Sequence, residues 1–375
     1  MKTRASTHAV LAAFLVGLLC TGCPLPMDDA DGQTNNANDN SNDNGGGDEL
    51  NQQLTKLQTD VAALQSRLRQ RVYGGAVAGT RVVDADVRIA GPDAQRQYED
   101  FIVEEGVTLT VQSGAVIRCT GQFINRGTIV VEFGTRGADR EGTDAGTLAE
   151  SLRPAAIGVS KLAAASGEAG GTSSDRSGGA GGEGLSEFES RLLLLNRTQA
   201  GGAGGAALAS GGGGGGAMTV IAAGPIVNEG QILAPGESAS DGGGGGGGGI
   251  VVLASGTSIS NASGAAILAQ GGDGGDATEA AGPGGGGGGG IVHLMAPEIA
   301  GDGEIAVAGG SAGTTDDGLP VTAAIRSGGG GGGATAGVGG VGGSVPGGAD
   351  ADAGEGTPGA EGDFVTTLAS ATEFF

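Results

Sequence analysis

Tryptophan is absent from this chain, and Phe, Tyr and Trp together make up 3% of its 375 residues. That excludes a broad core of the ordinary aromatic-rich kind. Cysteine occurs three times, at 20, 23 and 119, too few for a disulfide scaffold. Histidine occurs only as His8 and His293, and no Cys/His pair has the spacing of a metal site. Basic residues number 19 against 42 acidic, a net charge of −23. Such a chain repels nucleic acid and anionic headgroups, so neither is an expected partner. No Gly-Lys-Ser/Thr follows any glycine run, which removes a phosphate loop, and no nucleophile elbow sits between a strand and a helix. No cofactor site is expected.

What is abundant is glycine, 85 residues, without the strict three-residue period of collagen. The 38% of hydrophobic residues gather in short β-branched runs, enough for the thin core of a stacked repeat.

The first residues read as an export address. Lys2 and Arg4 precede the apolar stretch 9–19, and Thr21-Gly22-Cys23 follows, a signal too short to span a bilayer. The stretch LCTGC resembles the lipobox of bacterial lipoproteins, with Cys20 departing from the usual leucine. The resemblance implies a signal peptide over 1–22, cleavage behind Gly22 and a lipidated Cys23 that tethers the chain to a membrane. Pro24, in place of Asp, implies an outer-membrane or cell-surface address in the envelope. Cys119 is then a small buried hydrophobe in a strand.

Residues 28–48 are Asn, Asp and Gly with almost nothing apolar, a composition that cannot offset chain entropy and predicts a disordered stalk over 23–48. Over 49–72, Leu50, Leu54, Leu57, Val61, Leu64 and Leu68 recur at steps of four and three, the seam of a short coiled-coil helix. Three heptads are marginal alone, so 50–68 self-associates, packs on the following body, or frays. Gly74, Gly75 and Gly79 end the pattern.

From 80 to 135 short strands are expected: VVDADVRI at 82–89, VTLTV at 107–111, AVIRC at 115–119 and TIVVEF at 128–133. Turns fall about every ten residues, too close for helices. An antiparallel sandwich is one arrangement for them. The run FIVEEGVTLTVQSGAVIRCTGQFINRGTIVV at 101–131 resembles the coils of right-handed parallel β-helices of the pectate-lyase-like kind. The segment 136–200 reads as Gly/Ser-rich loops.

Over 201–375 a unit repeats. Glycine runs at 211–216, 242–249 and 284–290 each precede an apolar strand, AMTVIAA, IVVLAS and IVHLMA. A polar turn with Asn or Asp and Gly follows each, then a second strand: QILAPG, AAILAQGG and EIAVAGG. The same turn and strand stand at 125–129, joining the two regions. Gly127, Gly230, Gly264 and Gly303 are read as turn glycines holding positive φ. Each unit has an apolar face that stacking buries. This design resembles glycine-rich repeat regions of large bacterial surface proteins. The glycine runs are either flexible or extended helices packed through missing Cβ atoms; the second resembles the polyglycine helix bundles of some phage fibre tips and of antifreeze proteins from insect relatives. Long loops are expected at 141–182 and 328–362, and a capping strand within 364–375.

The expected fold is therefore mainly β, a glycine-rich parallel β-helix or solenoid behind a coiled-coil helix and a stalk. Chemistry is sparse. His293, in IVHLM, is read as solvent-facing or packed. GGDGGD at 271–276 is similar to the start of a calcium-binding nonapeptide, but Thr278 stands where a large apolar residue belongs and no tandem copy follows, so it is read as a turn. Asp84, Asp86, Arg88 and Arg118 fall in expected strands without grouping into a site. The functional expectation is a non-enzymatic structural, coat or adhesive element. A polysaccharide-binding or polysaccharide-degrading β-helix is the alternative.

Overall fold

The computed structural model describes residues 45–138, 164, 166–170, 177–184, 200–207, 209–315, 327–334, 336–344 and 354–374. The signal sequence, Cys23 and most of the stalk lie outside these residues, as does much of 139–199.

Helix α1 (Gly45–Tyr73) covers the segment marked by the four-three pattern. It stops at Gly74, whose φ of 90° suits a residue without Cβ and whose N–H donates to the Gln70 carbonyl at 2.9 Å. The chain divides into two units between Gln58 and Thr59, inside α1; the second holds all the strands described below.

The strands run β1 (Arg81–Val83), β2 (Val87–Ile89), β3 (Gln97–Tyr98), β4 (Phe101–Val103), β5 (Thr108–Val111), β6 (Ala115–Cys119), β7 (Phe123–Asn125) and β8 (Thr128–Val131). After a long interval come β9 (Ala217–Ala222), β10 (Ile226–Asn228), β11 (Gln231–Leu233), β12 (Ile250–Ser255), β13 (Ser258–Asn261) and β14 (Ala266–Leu268). Last are β15 (Ile291–Met295), β16 (Glu298–Ala300), β17 (Glu304–Ala306) and β18 (Asp363–Thr367). Each strand pairs in parallel with the one three places later, so the chain lays one strand in each of three six-stranded sheets and begins again. Parallel pairing throughout excludes the antiparallel sandwich. The strand expected within 364–375 is β18, which pairs with β15.

Register turns this repetition into a core. Phe101, Phe123, Ile226, Ile259 and Ile299 stack along the first sheet. Leu109, Ile129, Ile232, Ile267 and Ile305 do so along the second, and Ile117, Val220, Leu253 and Leu294 along the third. These columns belong to one apolar cluster shared by all three sheets. Phe101 and Phe123 stack with ring centroids 5.6 Å apart, and Tyr98 meets Phe101 edge-on at 5.0 Å, so the aromatics of this cluster gather at one end of it.

The third sheet is covered on its other side too. Val116, Ile221, Val252 and Met295 form a second apolar cluster with Val72 and Tyr73 from the end of α1 and with Ala371. This is why the middle strands AMTVIA, IVVLAS and IVHLM read as continuous apolar runs: they are buried on both faces.

The structure corrects the sequence reading in three places. VVDADVRI is two strands, because Asp84 to Asp86 form the bend between β1 and β2 rather than strand positions. The repeat carries three strands, not two, since Ile226–Asn228, Ser258–Asn261 and Glu298–Ala300 form a further short strand between each apolar strand and the polar turn. The loops expected over 328–362 are, in their described parts, packed extended segments.

Those segments belong to a glycine bundle. The chain leaves the second sheet after β8, β11 and β14 and returns through glycine runs that enter β9, β12 and β15; after β17 it returns at β18. The run 242–249 shows how the bundle is held. Gly244 and Gly247 donate to Gly205 and Gly202, Gly245 and Gly248 to Gly285 and Gly288, and Gly246 and Gly249 to Glu237 and Ala234. Carbonyls of the same run accept from Gly212 and Gly215, from Gly272 and Gly275, and from Gly329 and Gly332. Donors thus rotate among three neighbours with a period of three, and acceptors among three others, as in an extended helix of three residues per turn with no internal hydrogen bonds. Six neighbours leave no room for side chains: a Cβ on Gly247 would stand 2.0 Å from the Gly333 carbonyl oxygen. Of the two arrangements open to the glycine runs, ordered packing is the one adopted.

Candidate functional site

The polar side chains buried in the body serve the repeat. Asn125, Asn228 and Asn261 end β7, β10 and β13 at equivalent positions. Asn125 Nδ2 donates to Asn228 Oδ1, and Asn228 Nδ2 to Asn261 Oδ1, each at 2.8 Å. They also reach main-chain carbonyls of Gln231, Ala266 and Glu304 across the corner. All three asparagines are buried, so residues read as turn-formers are a polar ladder inside the body. The sequence signal is the recurrence of Asn three residues before β8 and β11 and five before β14, which reads equally as a demand of the turn backbone.

The four turn glycines divide by cause. Gly264 has φ 83° with open space where a Cβ would project. Gly127, Gly230 and Gly303 do not have positive φ. Their requirement is close approach: a Cβ would lie 2.3 Å from the Val107 carbonyl oxygen at Gly127, 1.9 Å from that of Gly127 at Gly230, and 2.5 Å from that of Ala262 at Gly303. At the last corner the positive φ belongs to Gly301, at 106°.

His293 lies fully buried in β15, between Val252 and Val365 in register. Its Nε2 meets Thr367 Oγ1 at 2.9 Å, while Nδ1 is buried without a partner. Burial lowers the imidazole to about 4, so the ring is neutral and packed at neutral pH. Cys119 is buried in β6, and burial, aided by the nearby Asp100 carboxylate, pushes its thiol up to about 12; it is chemically quiet.

Arg88 pairs with Glu132 across the second sheet, and its guanidinium is held charged by that contact. Asp86 Oδ1 accepts the Thr108 N–H at 2.7 Å. Arg126 spans Glu104 at 3.1 Å and Glu229 at 3.3 Å, joining three successive corners. Arg88 stands on β2 of the second sheet and Arg118 on β6 of the third, with Asp84 and Asp86 in the bend before β2.

A further polar feature is on the glycine bundle. The segment GGDGGD at 271–276, read as a turn, is extended and lies between two parallel neighbours: Gly236 and Ala239 donate to Gln270 and Asp273, and Gly271, Gly274 and Ala277 donate to Ala308, Ser311 and Thr314. Residues three apart face solvent. Ser238 Oγ accepts the Asp273 N–H at 3.0 Å, Asp273 Oδ1 accepts the Ser311 N–H at 2.7 Å, and Asp276 Oδ1 accepts both N–H and hydroxyl of Thr314. The bonds from Thr314 hold the Asp276 carboxyl below its ordinary range. A shallow hollow of about 570 Å³ opens beside Asp241, Asp273, Asp276 and Thr278.

Among the described residues no helix is long and apolar enough to cross a membrane. Compared with protein families, with curated proteins and with solved structures, the chain finds no match.

Proposed function

We propose that this chain is a non-enzymatic lipoprotein of the bacterial cell envelope, tethered through Cys23, whose three sheets close into a glycine-rich parallel β-solenoid that acts as a structural, coat or adhesive element. The observation that carries the reading is the use made of polar chemistry. Asn125, Asn228 and Asn261 bond to one another from rung to rung, and Asp86, Asp273, Asp276 and Glu237 accept main-chain N–H groups of neighbouring segments. Side chains arranged to bind the chain to itself favour rigidity and reach. The glycine bundle supports the same end, because backbones locked to six neighbours resist bending.

Cys23→Ser tests the tether: release of the protein from washed membranes is expected, and unchanged fractionation refutes the anchor. Protease treatment of intact cells, with a periplasmic protein as control, tests the address. Loss of the body with the control intact favours a surface coat, and protection of the body removes it.

A polysaccharide-binding role is the second reading, favoured by the face on which Ser238, Asp273, Asp276, Ser311 and Thr314 recur beside the open hollow. Retention on an immobilised glycan that is lost in Asp273→Ala would support it. Turnover of a glycan by the purified protein would replace the non-enzymatic reading.

A further inference from the structure

We infer that α1 is an interface between copies of this chain, aligned in parallel and in register along its apolar seam. Leu50, Leu54, Leu57, Val61 and Leu64 are each between 38% and 67% exposed, and they are five of the eleven large apolar side chains exposed among the described residues. Apolar exposure is therefore concentrated on one helix. The four-three spacing repeats every 3.5 residues, the period at which a narrow stripe stays in contact with another helix along its whole length. A helix packed on a sheet buries a wider stripe, and α1 does this only at its last turn, where Val72 and Tyr73, with Leu68 beside them, enter the second apolar cluster. The seam before that turn is left without an occupant in the described residues.

Charge identifies the occupant. The whole chain carries −23, so two copies meeting at most surfaces bring acid against acid. Within α1, Lys56, Arg67, Arg69 and Arg71 stand against Asp48, Glu49 and Asp60, four minus three, or one positive charge. This is a stretch along which two copies approach without net repulsion. The positions flanking the seam are Asn51, Gln53, Gln58, Asp60, Gln65 and Arg67. In a parallel arrangement Gln53 of one copy faces Gln58 of the other, and Asp60 faces Gln65; no like charges oppose. Flanks this neutral carry no code for a foreign helix of chosen charge, whereas the heptad phase of an identical helix matches by construction. The parallel sense rests on the tether reading above: copies anchored at Cys23 in one membrane present α1 in the same direction.

The test uses the chain with Cys20→Ser and Cys23→Ser, purified without detergent. Sedimentation equilibrium at micromolar concentration should give the mass of two or three chains, falling to one in Leu57→Asp/Leu64→Asp. The melting temperature of the body should hold in that variant, since neither leucine belongs to its core. A single Leu50→Cys, at the end of the seam, should oxidise to a 50–50 crosslink, which a parallel, in-register pairing allows and an antiparallel one, setting the two copies of residue 50 about 20 Å or more apart, does not. A one-chain mass across the concentration range overturns the interface. A crosslink between Leu50→Cys of one copy and Leu64→Cys or Leu68→Cys of the other, in place of 50–50, overturns the parallel register. Because the lipid is absent, these outcomes are independent of the fractionation result that judges the anchor.

Discussion

Asn125 and Asn228 are 103 residues apart in sequence, yet Nδ2 of the first donates to Oδ1 of the second at 2.8 Å inside the body. Asn228 passes the pattern on to Asn261 at the same distance. Asn228→Ala should therefore lower stability by about 2–4 kcal/mol, two buried amide bonds together with a small cavity, measured by urea unfolding. Asn228→Asp is the sharper variant. Ionised, it cannot donate to Asn261 Oδ1, and its deficit should shrink as the pH falls and the carboxyl regains a donor. A variant as stable as the parent at neutral pH would remove the ladder from the account.

The glycines predict a graded series. At Gly264 a Cβ meets nothing but the backbone is left-handed, so Gly264→Ala should cost about 1–2 kcal/mol. At Gly230 and Gly247 the obstacle is main-chain oxygen within 2.0 Å of the added carbon. Gly230→Ala and Gly247→Ala should each cost more than about 3 kcal/mol or prevent folding. Equal melting temperatures across the three variants would mean that close packing is not what these positions require.

His293 makes stability depend on pH. Its folded value of about 4 lies below the ordinary value near 6.5, so between these limits the unfolded chain binds the proton and the folded chain does not. The contribution is complete above the ordinary value, declines as the pH falls through it, and is lost by the folded value, roughly 3 kcal/mol in all. Carboxylates such as Asp276, lowered by their hydrogen bonds, add their own loss in acid. The difference between parent and His293→Met isolates the histidine: the parent should lose more stability between pH 6.5 and 4.5. Parallel pH profiles would show that His293 titrates freely.

Much of the strand pattern was legible in the sequence. IVVLAS, IVHLM and AILAQ announce themselves because strands buried on one or both faces are apolar in runs or alternation, and the glycine that ends α1 does so by a local rule about φ. The short strands of the first sheet were missed because three residues such as Ile226–Asn228 offer too little periodicity to stand out from a turn. The candidate polar face was half-visible: the three-residue recurrence of Asp273 and Asp276 is in the sequence, but GGDGGD carries equal weight as a turn until Ser238 and Ser311 are seen on either side.

Local chemistry, then, is what the amino-acid sequence determined alone: where apolar residues alternate, where a helix can run, and that one unit is reused. Which glycines are indispensable, and why, was decided only by tertiary structure. Gly127 and Gly230 look like turn residues until the carbonyl oxygen of an adjacent rung is found where their Cβ atoms would be. The same holds for the glycine runs, since a segment with no side chains has no pattern of its own to read. Its conformation is set by the main-chain donors and acceptors of six neighbours, brought together only when the sheets stack.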